Sequence, residues 1–364
     1  MTAIYIEDRK ISLKELLELI EKKEIQDPIF PVTKTLDCVI SILSCLIKKI
    51  PFFPHSPHLP QKPKVDIPKG CDFILHTSGS SKMKFALFKK QALLHANICT
   101  HPSFYLKRGD VYLLNLPLYH VAGLSILIRG LLRGGSIAID PVDQNIITHL
   151  SIVPAMAENI LKNRPYPNLK AMLIGGSEIK EDLALSLIDA NYPLYISYGM
   201  TEMSSHIFVK KYEKEEGVCF LNPLPKREIK LKKDGSLLVK GCGKFIRYLD
   251  MVGSQWINTK DIFKRKNGKL YFVKRADKMF ISGGENIFPE EIERALLTHP
   301  NVKSVNLTII EHLKWGQRPF LRVFFKDNPL SKEQIQKYLL SKIEKFKVPK
   351  DHEIEICTEF SSDF

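Results

Sequence analysis

Apolar residues recur at helical spacing at Leu13, Leu16, Leu17 and Ile20 and again from Leu36 to Ile47, so the chain is predicted to open with two short helices. The most apolar part of the second run, Cys38 to Ile47, is about half the roughly 20 residues that a spanning helix needs. It predicts a buried helix and no membrane insertion. Pro51, Pro54, Pro57, Pro60, Pro63 and Pro68 follow, and proline fits neither a helix interior nor a central strand, which predicts an extended connector.

Apolar runs then predict strands at Phe73–His76, Val111–Leu116, Ser136–Ile139, Ala171–Ile174 and Pro193–Ser197, with helices at Lys90–Cys99, Gly123–Leu132 and Glu181–Asp189. Strands alternating with helices imply an α/β fold with a mostly parallel sheet. From Ile229 the segments shorten and alternate around the turns Lys233-Asp234-Gly235 and Lys266-Asn267-Gly268, which predict hairpins. After Arg275 come a Gly-Gly turn, a helix from Pro289 to Thr298, strands at Val302–Ile309 and Pro319–Phe325, and a helix from Ser331 to Phe346. The expected organisation is a large α/β domain over residues 1–276 and a small α+β domain over 277–364.

A hydrophobic share of 44% against 26% charged residues is that of a folded globular protein rather than a disordered one. The balance of 54 Lys+Arg against 40 Asp+Glu, a formal charge of +14, favours anionic ligands such as nucleic acid, an anionic membrane, or a nucleotide and coenzyme. The lysines are dispersed and do not alternate with aromatic residues, so no specific nucleic-acid partner is expected. Seven cysteines without a CxxC pair predict neither a disulfide framework nor a zinc site. The N-terminus carries Glu7, Asp8 and Glu15 where a secretion signal would be basic and then apolar, and a cytoplasmic location is expected.

Two segments carry chemistry. Thr77-Ser78-Gly79-Ser80-Ser81-Lys82-Met83-Lys84 follows a predicted strand and offers backbone N–H groups, hydroxyls and two lysines, which suit phosphates; it lacks Walker A spacing, and a solvated turn has the same composition. Ser197-Tyr198-Gly199-Met200-Thr201-Glu202 also follows a strand. There a tyrosine can stack on a purine, a threonine hydroxyl can reach a phosphate and a glutamate can hold magnesium, although Thr201 would equally serve as a helix cap.

These two segments, in this order, resemble the adenylate-forming superfamily of acyl-CoA synthetases, peptide-synthetase adenylation domains and luciferases. Leu116-Pro117-Leu118-Tyr119-His120-Val121-Ala122-Gly123-Leu124 resembles its acyl-pocket segment, and Gly175-Gly176-Ser177 the turn behind the adenine. Asn258-Thr259-Lys260-Asp261 stands at its Thr-Gly-Asp, and Lys274 to Glu293 is similar to its hinge and C-terminal core. The resemblance implies a large adenylate-forming domain with mixed, mostly parallel sheets, a small mobile α+β domain, and acid activation with ATP, Mg2+ and CoA.

It further implies that Thr77, Ser78, Gly79, Ser80 and Ser81 hold the β- and γ-phosphates, with Lys84 supplying charge, and that Thr201 binds the α-phosphate and Glu202 the metal. Gly175, Gly176, Ser177, Tyr198, Gly199 and Met200 would surround the adenine, and Asp261 and Arg275 would bind the ribose. His120 would lie between acyl group and nucleotide, where a packed helix-start histidine is the other reading. Asp277 would be the hinge, and Gly283, Gly284, Glu285 and Trp315 would face coenzyme A. The wording of the acyl-pocket and Tyr-Gly-Met-Thr-Glu segments is most similar to the o-succinylbenzoate-activating branch, which serves menaquinone biosynthesis. An aryl or fatty acid of another kind, and a non-catalytic nucleotide-binding homologue, stay open.

The sequence departs from the superfamily in four places. The phosphate loop is one residue short and lacks a glycine and a proline, Lys260 replaces a glycine, and relatives have more residues before the loop. The superfamily's adenylation lysine sits in a Pro-x-x-x-x-Gly-Lys segment that does not follow Phe346–Lys350 here. Impaired adenylation is therefore expected, with Lys345, Lys347 or Lys350 as partial substitutes.

Overall fold

In the computed structural model, which describes residues 2–59, 61–77, 84–276, 280–282, 285–312 and 316–357, the chain divides into two units. The first comprises residues 1–259 and 264–271, the second 260–263 and 272–364.

The first unit runs β1 (Thr2–Ile6), β2 (Arg9–Ser12), α1 (Leu13–Lys22), β3 (Ile29–Pro31), α2 (Leu36–Lys48), β4 (Phe53–His55), β5 (Phe73–Thr77), β6 (Lys84–Phe88) and α3 (Lys90–Ile98). It continues through β7 (Val111–Leu113), α4 (Val121–Leu132), β8 (Ser136–Ile139), β9 (His149–Ile152), α5 (Ala157–Asn163), β10 (Ala171–Ile174), α6 (Glu181–Asp189), β11 (Leu194–Met200), β12 (Ser205–Lys211), β13 (Arg227–Leu231), β14 (Ser236–Gly241) and β15 (Arg247–Tyr248).

Eight strands form the main sheet in the order β12-β11-β10-β9-β7-β8-β1-β2. The strands from β11 to β1 are parallel, and β12 and β2 close the two edges antiparallel. All four residues of β8, β9 and β10 are buried, as a parallel strand covered on both faces requires. Helix α2 buries every residue from Val39 to Cys45, its two buried hydroxyls, Ser41 and Ser44, donating to the carbonyls of Asp37 and Ile20. Among the described residues no helix is long and apolar enough to cross a membrane. All seven cysteines are free thiols.

A smaller antiparallel sheet, β15-β6-β5, holds the ends of the hydroxyl-rich loop: Thr77 on β5 pairs with Lys84 on β6. Strand β6 corrects the reading of this segment as loop up to the helix. The proline connector is corrected too, since Pro54 lies inside β4, which pairs with β3 alone in a two-stranded parallel sheet. An edge position of this kind tolerates the missing N–H.

The division between units falls in the hairpin of β16 (Ile257–Lys266) and β17 (Lys269–Arg275). The second unit continues with β18 (Phe280–Ser282), β19 (Glu285–Ile287), α7 (Pro289–Leu297), β20 (Val302–His312), β21 (Gly316–Phe325), α8 (Lys332–Leu340) and β22 (Ile354–Cys357). Strands β18 to β22 form one sheet, against which Ile292, Leu296, Ile335 and Leu339 of α7 and α8 build a core with Leu321 and Val323. Helix α8 ends at Leu340, six residues before the expected Phe346. The carbonyls of Phe346 and Val348 accept instead from the buried Arg318 guanidinium, and Pro349 disfavours helix at the residue before it.

Candidate active site

The ends of β10 and β11 lie so close that they exclude side chains. A Cβ on Gly175 would stand 2.2 Å from Ser197 Oγ, which donates to the Ile174 carbonyl at 3.0 Å. Gly176 has φ +87°, in the left-handed region that favours glycine. A Cβ on Gly199 would be 2.0 Å from the Ser205 carbonyl oxygen, where a bulge shifts the register between β11 and β12. The chain then makes a single 3-10 turn, Thr201–Met203, and reverses through Ser204 at φ 51°.

This turn sets out the predicted residues. Tyr198 packs on Phe208 and Phe220, with ring centroids at 5.9 and 6.2 Å. Thr201 and Glu202 are half-buried, and Met200, not Thr201, is the residue that precedes the turn as its cap. Phe245 N–H donates to the Glu202 carbonyl at 2.8 Å, bringing the approach to β15 alongside. The Tyr248 hydroxyl donates to the Glu202 carboxylate. Tyr248 is fixed by pairing with Ala86 of β6 and by an edge contact with Phe245 at 5.0 Å. Lys84 Nζ lies 5.6 Å from the Tyr248 ring centroid, within cation-π reach. The structure thus brings Thr77, Lys84, Tyr248 and Glu202 into one neighbourhood. Sequence reasoning missed Tyr248, whose place follows only from the β15–β6 pairing.

His120 stands at the N-cap of α4, and its imidazole does not cap the helix. The helix packs tightly beneath it: a Cβ on Gly123 would be 2.2 Å from the Pro117 carbonyl oxygen. His120 lies 4.6 Å from Tyr119 and 5.9 Å from His76, and His76 stacks on Tyr119 at 5.9 Å. Burial pushes the His120 imidazole below its ordinary range, and His76 pushes it the same way. His76, another residue the sequence did not mark, is lowered by burial and then by His55.

Ser78, Gly79, Ser80, Ser81, Asp277, Gly283, Gly284 and Trp315 lie outside the described residues. Glu285 begins β19, its backbone paired with Ser282. Within the second unit Arg275 donates to Asp261 at 3.1 Å, and Asp261 is buried. Lys260 beside it has φ 64°, a left-handed conformation that suits the glycine expected there better than a lysine. Lys347 pairs with Glu291 at 2.6 Å and Glu344 at 2.7 Å.

The chain is similar to the 2-succinylbenzoate--CoA ligase of Haemophilus influenzae, with 35% identity over 257 residues, covering 65% of this chain and 56% of that protein. The protein of the same name from Escherichia coli is 34% identical over 221 residues, covering 58% and 49%. The chain therefore spans about half the length of these relatives. Its fold is that of a variant of Escherichia coli MenE with bound OSB-AMS, at TM-score 0.80, 23% identity and coverage of 96% and 90%. It is equally that of an ATP-bound RpMatB-BxBclM chimera, at TM-score 0.83, 18% identity and coverage of 99% and 92%. The model of the AMP-binding enzyme family matches residues 9–249, which contain the whole arrangement around Glu202, and the chain belongs to that family.

Proposed function

We propose that this chain activates a carboxylic acid with ATP and transfers the acyl group to coenzyme A, with 2-succinylbenzoate as the acid and a place in menaquinone biosynthesis. The observation that carries the reading is the meeting of Lys84, Tyr248 and Glu202 beside Thr201, at the mouth of the hairpin whose ends are Thr77 and Lys84. The name of the two relatives supports the choice of acid. Seven free thiols suit a reducing, cytoplasmic location.

In the first step a carboxylate oxygen attacks the α-phosphorus, a new O–P bond forms, and the bond to pyrophosphate breaks. In the second the coenzyme A thiol loses its proton, its sulfur attacks the acyl carbon, and AMP leaves. Neither step uses a protein nucleophile, so the residues act by positioning and by meeting developing charge. The Thr201 hydroxyl donates to the α-phosphate, Lys84 faces the phosphates, Tyr198 stacks on the adenine that Gly175, Gly176 and Ser177 admit closely, and His120 lies at the acyl junction. Asp261 and Arg275 hold the ribose. Asp277 is the hinge, and Gly283, Gly284, Glu285 and Trp315 approach coenzyme A.

Magnesium in such sites is held by one or two carboxylates together with phosphate oxygens. A single half-buried carboxylate, Glu202, next to Thr201 fits that arrangement. Among the described residues no group of three or more His, Cys, Asp or Glu forms a metal cage. When bound with ATP, magnesium supplies positive charge against the phosphate oxygens; Tyr248 holds the Glu202 carboxylate for it.

ATP–pyrophosphate exchange against a panel of carboxylic acids tests the reading. Exchange is expected with 2-succinylbenzoate above the other acids, and lower by about 10²-fold in Thr201→Ala. A panel in which no acid supports exchange contradicts it.

A further inference from the structure

Away from the residues used above, two of the free thiols meet. Cys99 caps the C-terminus of α3, its N–H donating to the His95 carbonyl at 2.9 Å. Cys242 follows the last residue of β14, in a turn whose form two glycines set: Gly241 has φ +110° and Gly243 φ +90°. That turn lies on the end of α3, since a Cβ on Gly243 would stand 2.9 Å from the Ala96 Cβ. A side-chain hydrogen bond joins the two thiols, and both cysteines are partly exposed. Beside both lies the guanidinium of Arg227, 5% exposed. Its Nη atoms donate to the carbonyls of Cys99, Ala96 and Pro225 at 2.8, 3.1 and 3.3 Å, and its buried Nε has no partner among the described residues. A buried cation whose bonds go to neutral carbonyls lowers the cost of forming a thiolate next to it.

We infer that Cys99 and Cys242 are a site of reversible oxidation by low-molecular-weight disulfides, closing a bond that holds the turn behind Glu202. The Cys99 thiolate attacks one sulfur of the external disulfide and one thiolate leaves. The Cys242 sulfur, giving up its proton, then attacks Cys99, the mixed disulfide breaks and the second thiolate leaves. Two protein thiols are oxidised, one disulfide is reduced, and the two leaving thiolates take up the two protons. The order follows from the surroundings. Burial, opposed by Arg227 and aided by Cys99, pushes the Cys242 thiol up to about 11, so Cys242 resolves the mixed disulfide and does not attack first. A sulfur–sulfur bond is about 2.05 Å long, shorter than a contact between thiols, so closure draws Cys242 toward α3. The turn does not move alone. A Cβ on Gly243 would be 2.5 Å from the Met203 carbonyl oxygen, and Phe245 N–H donates to the Glu202 carbonyl. The consequence for activity rests on the acid-activating reading; the cross-link does not.

The test treats the reduced full chain with oxidised glutathione, blocks the remaining thiols and maps the digest by mass. A Cys99–Cys242 disulfide is expected, reversed by dithiothreitol. Cys242→Ser should instead trap glutathione on Cys99, and Cys99→Ser should leave Cys242 unmodified. ATP–pyrophosphate exchange with 2-succinylbenzoate should fall at least about threefold in the oxidised wild type, as a displaced catalytic turn requires, return with dithiothreitol, and stay unchanged by glutathione disulfide in Cys99→Ser. Glutathione on Cys99 of the wild type without the cross-link, or a cross-link that leaves exchange unaltered, overturns the inference alone. Reduced protein that forms the cross-link on oxidation yet supports exchange with no acid overturns the acid-activating reading.

Discussion

The two units bury charge in opposite ways. In the first, Arg129 on α4 is 3% exposed and donates to the Ser125 carbonyl at 3.1 Å and to His206 Nδ1 at 3.3 Å, between the rings of Phe104 and Tyr112. Accepting from a guanidinium leaves His206 Nδ1 bare, and burial, Arg129 and Arg227 push that imidazole well below its ordinary range. In the second unit Arg318 makes two parallel 2.8 Å bonds to Glu353, whose carboxylate also accepts from Lys350 N–H at 2.7 Å. Arg129 in the first unit thus donates to a carbonyl and an imidazole. The second ties β21 to the segment before β22 with a closed ion pair.

The largest expected effect breaks the closed pair. Glu353→Gln leaves a buried guanidinium half-partnered and is expected to destabilise the second unit by about 3–5 kcal/mol, read as lost hydrogen-exchange protection in β20 and β21. A double replacement, Arg318→Met with Glu353→Leu, should recover most of that loss. If the single and double variants are equally protected, the pair does not staple the unit.

Acid separates the two units with a smaller effect. His76, His120, His149 and His206 all have imidazoles pushed below the ordinary 6.5, by burial first. Their unfolded forms bind more protons, so this stability is present above about pH 6.5 and is lost as pH falls through that value. Burial raises Glu353, but the hydrogen bonds from Arg318 and Lys350 outweigh it and hold the carboxyl below its ordinary 4.5. That contribution is present above pH 4.5 and is lost only as pH falls below it. Exchange protection in β9–β12 should therefore weaken between pH 7 and 5 while β20 and β21 hold, and His206→Asn should blunt the change. Parallel loss in both units would contradict the contrast.

The same contrast explains what was legible in the sequence. Strands β8 and β10 and helix α6 begin and end where their apolar runs do, because each is bounded by local turn signals. The turn from Gly175 to Ser177 and the segment from Ser197 to Glu202 stood out for a related reason: their distinctive residue types are consecutive. Tyr248 and His76 did not, because their places beside Glu202 and His120 follow from the pairings of β15 and β5 with β6, separations that no local pattern encodes. Helix α8 was overextended since the carbonyls of Phe346 and Val348, in the stretch expected to continue it, accept from Arg318, 28 and 30 residues upstream in sequence but adjacent in space.

The proposed acid activation gives the Glu202 carboxylate, bonded by Tyr248, a direct part in the reaction. Magnesium-dependent ATP–pyrophosphate exchange with 2-succinylbenzoate, compared between wild type and Tyr248→Phe, tests it most directly. Loss of a hydrogen bond to a charged group is worth about 1.5–3 kcal/mol, so the variant should show exchange lower by about tenfold or more and a higher magnesium requirement, with AMP binding unchanged. Exchange at the wild-type rate and magnesium dependence would contradict the claim.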